Sequence, residues 1–281
     1  MQLGIFAKTF IRGSFEEVFD AVRDNGLNQV QFNMACTGLE TLPDYIDTSL
    51  LDNIRKESIN RGVDIAAISG TYNMIHPDKK QRELGLKRLE VLAGACSRIG
   101  TDVITLCTGT RNETSMWKKH PDNNSADSWN DLCNSMAGAL KIAGDYHLTL
   151  AIEPEISNVV DNAVKARRLL DEMKSPFLKI IMDGANLFRP GDANYMTDVL
   201  DRAFDLLAND IVIAHAKDLA SDEETSFVAA GQGILNYSSY LKHLRDCNFQ
   251  GALIIHGLSE SQVPESVAFI KEQIERLDRE A

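Results

Sequence analysis

Eight short apolar runs recur along the whole chain, separated by segments with helical periodicity. Each run is nearly continuous in hydrophobic residues, without strict alternation with polar ones. That pattern is typical of strands buried on both faces, as in parallel sheets. The predicted strands are residues 3–10, 29–33, 64–72, 102–110, 148–154, 179–186, 211–218 and 252–258.

The intervening segments predict amphipathic helices with recognisable ends. The first begins at Ser14, where Glu17 completes a capping box, and ends at Gly26. The second ends at Gly62, and the third covers residues 78–99. Further helices are predicted at about residues 125–146, 160–174, 195–208, 236–247 and 264–279.

Eight strands that alternate with eight helices predict an α/β fold, a single (β/α)8 TIM barrel over residues 1–281. A doubly wound open sheet is the alternative. The first strand–helix turn reads FIRGSFEE and has no G-x-G-x-x-G fingerprint, and the sequence contains no P-loop. The barrel is therefore favoured.

Composition and charge indicate which kinds of binding partner the protein is not expected to have. The formal net charge is −12, and an acidic surface repels phosphate backbones and anionic membranes, so we expect neither as a partner. No apolar stretch is long enough to span a bilayer, and the N-terminal LGIFAKTFI is expected to be a strand, not a signal peptide. The five cysteines are scattered without a C-x-x-C pair, which predicts reduced thiols and a cytoplasmic protein.

Ionisable groups follow three neighbouring strands where each strand ends. Glu153, Asp183 and His215 each come after an apolar run, and active sites of (β/α)8 barrels lie at this end of the strands. A single such residue more often caps a helix or pairs with a lysine. Because three unpaired polar groups beside a core would be costly, their joint occurrence predicts a divalent metal ion: Mn²⁺, Mg²⁺, Co²⁺ or Zn²⁺.

The segments around these residues carry a family resemblance. AIEPE, MDGANLF, AHAKD and, more weakly, AAGQGILNY resemble the sugar isomerase/epimerase superfamily of xylose isomerase-like barrels. The resemblance covers essentially the whole chain. It implies a small sugar or sugar phosphate as substrate, and the dimers and tetramers common among such barrels allow a homo-oligomer.

The resemblance also implies a ligand set, from which this chain departs. The family holds its metal with Glu, Asp, His and Glu on strands 5 to 8, and the first three map onto Glu153, Asp183 and His215. The fourth position is His256, because strand 8 reads LIIHGLSE and Glu260 lies farther along the loop. We expect Glu153 to be ligand and base, and His256 to be fourth ligand or second acid/base.

Two residues that we predict to contact substrate also differ from the residues of the family pattern. Gln232 replaces a Glu of the Gly-x-Gly segment, and Asn186 stands where endonuclease IV-like members have a His. Lys217 points to the same face as His215 by alternation, and it either faces a substrate oxygen or pairs with Asp218 or Glu155.

The loop after the fourth predicted strand is long and is expected to fold over the barrel mouth. It carries Arg111, a candidate for binding an anionic group, and Trp117, a candidate substrate contact. Trp129 is expected to pack against the following helix. His76, after the third strand, either contacts substrate or braces its loop.

These observations predict a metal-dependent isomerase or epimerase that moves a proton next to a carbonyl. The alternatives are a lyase of the same fold, of the inosose dehydratase type, and a barrel that binds a sugar without turnover. A metal-dependent phosphodiesterase acting on abasic DNA is disfavoured, because it requires many more histidines than the six present.

Overall fold

The computed structural model describes residues 1–223 and 226–279, and within them eight parallel strands form a closed barrel surrounded by eight α-helices. The barrel strands are β1 Gln2–Phe6, β2 Gln29–Phe32, β3 Asp64–Ser69, β4 Val103–Cys107, β5 Thr149–Glu153, β6 Leu178–Asp183, β7 Ile211–Ala216 and β8 Ala252–Ile255. The helices are α1 Phe15–Asp24, α2 Thr48–Arg61, α3 Lys79–Ile99, α4 Ala126–Tyr146, α5 Ala163–Met173, α6 Met196–Leu207, α7 Tyr237–Asp246 and α8 Val263–Arg279.

Each strand pairs with its neighbour in the sequence, and β8 closes the barrel against β1 through a parallel register from Gln2↔Ala252 to Ile5↔Ile255. The predicted (β/α)8 barrel is confirmed. Several predicted strands are shorter than expected at their carboxyl ends, because the chain there leaves the sheet to form loops. After β4, for example, Gly109 adopts a left-handed conformation that turns the chain away.

Helix boundaries follow the predicted signals. Ser14 caps α1 by accepting a hydrogen bond from the Glu17 backbone N–H, while Glu17 accepts one from Gly13. Gly62 and Gly100 end α2 and α3 in the left-handed conformation. No helix of the described residues is long and apolar enough to cross a membrane.

The barrel interior changes from apolar to polar along the strands. A small apolar cluster fills its lower part and is separate from the larger core between strands and helices. The cluster comprises Ala67, Ala151, Ile181, Ile213, Ala252 and Ile254. Above it polar side chains line the interior together with apolar ones, at the carboxyl ends of the strands, where active sites of such barrels lie.

Candidate metal centre

Four ionisable side chains form one layer above the apolar cluster. Each comes two residues after an interior apolar residue, because successive side chains of a strand point to opposite faces. The pairs are Ala151 with Glu153, Ile181 with Asp183, Ile213 with His215 and Ile254 with His256. Asp183 lies in register with His215 on the neighbouring strand.

The ligand atoms of this layer converge. One atom from each of Glu153, Asp183, His215 and His256 lies within 4.8 Å of the others, and the first three residues are buried. Asp183 Oδ2 is 3.0 Å from His256 Nε2 and 3.9 Å from His215 Nδ1. Two carboxylates and two imidazoles are a donor set suited to a divalent transition metal, so the cluster can hold such an ion.

The hydrogen bonds of Gln31 orient His215 toward the carboxylates. Gln31 Nε2 lies 3.2 Å from the hydroxyls of Ser69 and Thr105, to which it donates, so its Oε1 accepts from His215 Nε2 at 2.8 Å. His215 Nδ1 then faces Glu153 Oε1, 3.4 Å away. A metal ion can replace the proton between this nitrogen and the carboxylate, which is why the arrangement fits a metal.

Lys217 and Asn186 complete the polar network. Lys217 Nζ lies 3.2 Å from Asp183 Oδ2 and donates to Asn186 Oδ1 at 2.8 Å, so its ion pair is with neither Asp218 nor Glu155. Asn186 donates to Glu153 Oε1 at 2.8 Å and does not line the cavity, contrary to its predicted substrate contact. Asn186 is only 1% exposed, so its side chain supports the Glu153 carboxylate from the buried side and does not reach the cavity.

The buried ionisable groups of this network shift one another's pKa values. Burial alone would raise the pKa of Glu153, but His215 outweighs it, and this pKa lies below its ordinary value. Burial also opposes ionisation of Asp183, yet Lys217 and His256 hold its pKa far below the usual range. Burial would lower the pKa of Lys217, which Asp183 and Glu153 raise instead. Burial lowers the pKa of His256, with His215 adding to that effect, and this shift favours the neutral imidazole that a metal ligand requires.

A cavity of about 660 Å³ opens above this layer. Of the predicted site residues, it is lined by Glu153, His215, Lys217, His256 and Trp117. Asp183 lies behind them at 1% exposure. The structure thus places the predicted ligands and two predicted substrate-binding residues, Lys217 and Trp117, at the same cavity.

Three predicted substrate-binding residues lie outside that cavity. His76 accepts a hydrogen bond from the Asp78 backbone and its Nε2 lies 3.3 Å from the Glu113 carbonyl, so it braces two loops. The guanidinium of Arg111 is bound to Ser128, the Ile75 carbonyl and Asp131 beneath the loop. Gln232 is exposed and accepts from Gln262 near the start of α8.

The loop after β4 reaches the cavity as expected. Met116 and Trp117 line the cavity, and Trp117 is 56% exposed. Trp129 is buried against α5, where Glu172 accepts from its indole N–H at 2.7 Å and Arg168 lies 3.9 Å from its ring centroid.

Several cavity residues were not predicted. Gln31 is a polar residue inside the apolar run QVQFN, and that anomaly is the signal that could have found it. Phe6 is the last residue of β1 and Lys8 follows it, and Phe227 lies in a short hairpin of Asp218–Leu219 with Phe227–Val228. Glu155, expected only as a possible partner of Lys217, also lines the cavity; burial and then the charge of Glu153 raise its pKa to about 7.

Comparisons with known proteins agree with this architecture. A family model described as a xylose isomerase-like TIM barrel matches residues 19–277. No curated protein matches the chain in sequence.

Solved structures with the same fold include proteins of several activities. The probable 3-DHS dehydratase AsbF from Bacillus anthracis has 16% identity, a TM-score of 0.75 and coverage of 96% of this chain and 99% of its own. The 3-keto-D-glucoside 4-epimerase YcjR from E. coli has 18% identity, a TM-score of 0.71 and coverage of 97% and 99%. The IOLI protein with a bound zinc atom has 14% identity, a TM-score of 0.73 and coverage of 99% and 98%. At these identities the likeness shows the fold alone.

Proposed function

The chain belongs to the xylose isomerase-like TIM barrel family, and we propose that it is a metal-dependent isomerase or epimerase of a small sugar or sugar phosphate. The observation that carries the proposal is the convergence of Glu153, Asp183, His215 and His256 at the floor of the cavity. The epimerase and dehydratase activities of neighbours with this fold support carbohydrate-type chemistry.

The four converging residues would hold a divalent ion of the Mn, Mg, Co or Zn type. Such an ion supplies stabilisation of negative charge on substrate oxygens next to the reacting carbon. One neighbour of the same fold contains zinc, which supports a metal in this position without identifying it.

Glu153 is proposed to remove the proton from the carbon next to the carbonyl. Its Oε1 is held by Asn186 and His215, whereas the only described contact of Oε2 is the Cys107 thiol at 3.9 Å. Because Glu153 lines the cavity, Oε2 is the oxygen available to substrate.

Lys217 is proposed to hold a substrate oxygen. An ammonium group has three N–H donors, and two of them are directed at Asp183 and Asn186. His256, whose ring also lines the cavity, is fourth ligand or second proton-transfer group. Trp117 and Met116 cover the cavity on the loop side and exclude water from the reaction.

The test is proton exchange in heavy water. The manganese-loaded protein is incubated in D₂O with D-fructose, D-tagatose, L-ribulose and their phosphates, and each sugar is analysed by NMR and mass spectrometry. We expect deuterium at the carbon next to the carbonyl of at least one sugar and none with Glu153→Gln. Absence of deuterium from every sugar contradicts the proposal.

A lyase activity is the second candidate. It is favoured by His256 in place of the expected strand-8 carboxylate, because elimination of water needs only one matched base. A product lighter than substrate by one water identifies this reaction. The substrate, the oligomeric state and the cytoplasmic location stay predictions.

A further inference from the structure

Glu155 is a buried carboxylate in the cavity wall that the proposed proton transfer does not use. It lies two residues past the end of β5, is 9% exposed, and lines the cavity. Its Oε2 accepts two hydrogen bonds, from the Ser157 backbone at 3.0 Å and from Asn158 Nδ2 at 2.8 Å. One oxygen of the carboxylate is therefore fully engaged with the loop.

The other oxygen, Oε1, has no hydrogen-bond or ion-pair partner among the described residues, and Glu155 is not part of the metal-ligand group. Lys217, one of the two lysines that line the cavity, pairs with Asp183. Among the described side chains, the only enclosed polar atom without a partner is the Tyr72 hydroxyl. Glu155 Oε1 is therefore not enclosed by protein, and it opens into the cavity that Glu155 lines.

Asn158 fixes this carboxylate in place. Its Oδ1 accepts from the Gly109 backbone at 2.6 Å, and its Nδ2 also reaches the Met116 carbonyl at 3.2 Å. The same amide thus ties Glu155 to the loop that carries Trp117. A carboxylate oxygen that opens into a cavity and is held rigidly is suited to a donor that arrives with a ligand.

We infer that Glu155 is a substrate-binding residue whose Oε1 accepts a hydrogen bond from a hydroxyl of the sugar. This inference rests on the proposed function. A phosphate at the same position would place two like charges in contact, so the part of the substrate that meets this wall carries a free hydroxyl. A site built around such a hydrogen bond strongly rejects an analogue that lacks the hydroxyl.

The experiment compares ligand binding by matched variants. The manganese-loaded wild type, Glu155→Gln, Glu155→Ala and Glu113→Gln are titrated by calorimetry with D-fructose, D-tagatose and L-ribulose, and then with single-deoxy analogues of the tightest ligand. In Glu155→Gln the amide oxygen keeps both supporting hydrogen bonds while its nitrogen replaces the free acceptor. Glu113 is an exposed carboxylate on the loop after β4, outside the cavity, and serves as control.

We expect both Glu155 variants to bind the sugar roughly 10- to 100-fold more weakly than wild type, the range of a hydrogen bond to a charged group. One deoxy analogue should bind the wild type more weakly than the parent sugar does. The Glu155 variants should bind that analogue and the parent sugar equally, and Glu113→Gln should bind both as the wild type does. Manganese binding should be equal in all four proteins. Equal sugar binding by wild type and both Glu155 variants overturns this inference alone, whereas a wild type that binds no sugar overturns the proposed function with it.

Discussion

Gln31 illustrates how one side chain sets the chemistry of another. It accepts from His215 Nε2 at 2.8 Å while donating to Ser69 and Thr105, and so fixes which imidazole nitrogen faces the carboxylates. The residue is buried, and its neighbours on β3 and β4 are hydroxyl side chains instead of the apolar ones lower in the barrel. The metal affinity of the cluster should therefore depend on an amide that is not itself a ligand.

We predict that Gln31→Leu lowers Mn²⁺ affinity roughly 10- to 100-fold while the barrel stays folded, because outer partners of ligating histidines have effects of that size. Gln29→Leu is the matched control, a buried glutamine of the same strand that bonds Gln2 and Asp64 instead. Titration calorimetry with Mn²⁺ measures both. Wild-type affinity in Gln31→Leu would show that the His215 orientation does not matter for metal binding.

Among the structural elements, the loop that follows β7 is held in place by the side chain of Asp218. Asp218 is 1% exposed, and its carboxylate accepts backbone N–H bonds from Leu219, Gly231, Gly233 and Leu235. The loop it gathers carries Phe227, whose ring centroid lies 3.9 Å from Lys217 Nζ.

Asp218→Ala should lower the free energy of unfolding by about 3 kcal/mol or more, since four N–H groups, two of them buried, lose their acceptor at about 1–3 kcal/mol for each buried group. Asp205→Ala, an exposed change on α6, should alter it by less than about 0.5 kcal/mol. Urea denaturation followed by circular dichroism gives both values. Equal stability of the two variants would contradict the role assigned to Asp218.

Helix α3 offers a paired prediction about packing. A methyl group added at Gly85 would overlap the buried Tyr72 ring, whereas one at Gly94 would meet Tyr146 at an ordinary 3.6 Å. Gly85→Ala should therefore destabilise the protein by about 1–3 kcal/mol. Gly94→Ala should stabilise it by up to about 1 kcal/mol, because alanine is the better helix former. Thermal melts of the two variants test the pair, and a shift of the same sign in both would refute it.

The helices, the strands and most of the candidate metal centre could be predicted from the sequence. The side chains that orient the candidate ligands could not. Period-two alternation along a strand places Glu153, Asp183 and His215 on the inner face, and apolar runs reveal the strands themselves. Local pattern does not give contacts across the barrel, such as Gln31 on β2 with His215 on β7. For the same reason local pattern does not reveal that the Arg111 guanidinium is bound by residues of α4 and of the loop after β3.

At the scale of the whole molecule, metal binding should be linked to stability. An ion that binds only the folded barrel stabilises it by about 2.7 kcal/mol at a free concentration of 100 times its Kd. We predict that EDTA lowers the melting temperature and that Mn²⁺ restores it, as measured by differential scanning calorimetry. Asp183→Asn should not respond to Mn²⁺, and a wild-type melting temperature that is the same with and without the ion would contradict the linkage.

We propose that Glu153, Asp183, His215 and His256 bind one divalent cation at the floor of the cavity. Anomalous diffraction at the manganese edge, from crystals grown with Mn²⁺, tests it most directly. We predict a single strong peak between these four side chains, with ligand distances of about 2.0–2.3 Å. Crystals that show no peak there, or a peak held by other residues, would mean that these four side chains do not form a metal site.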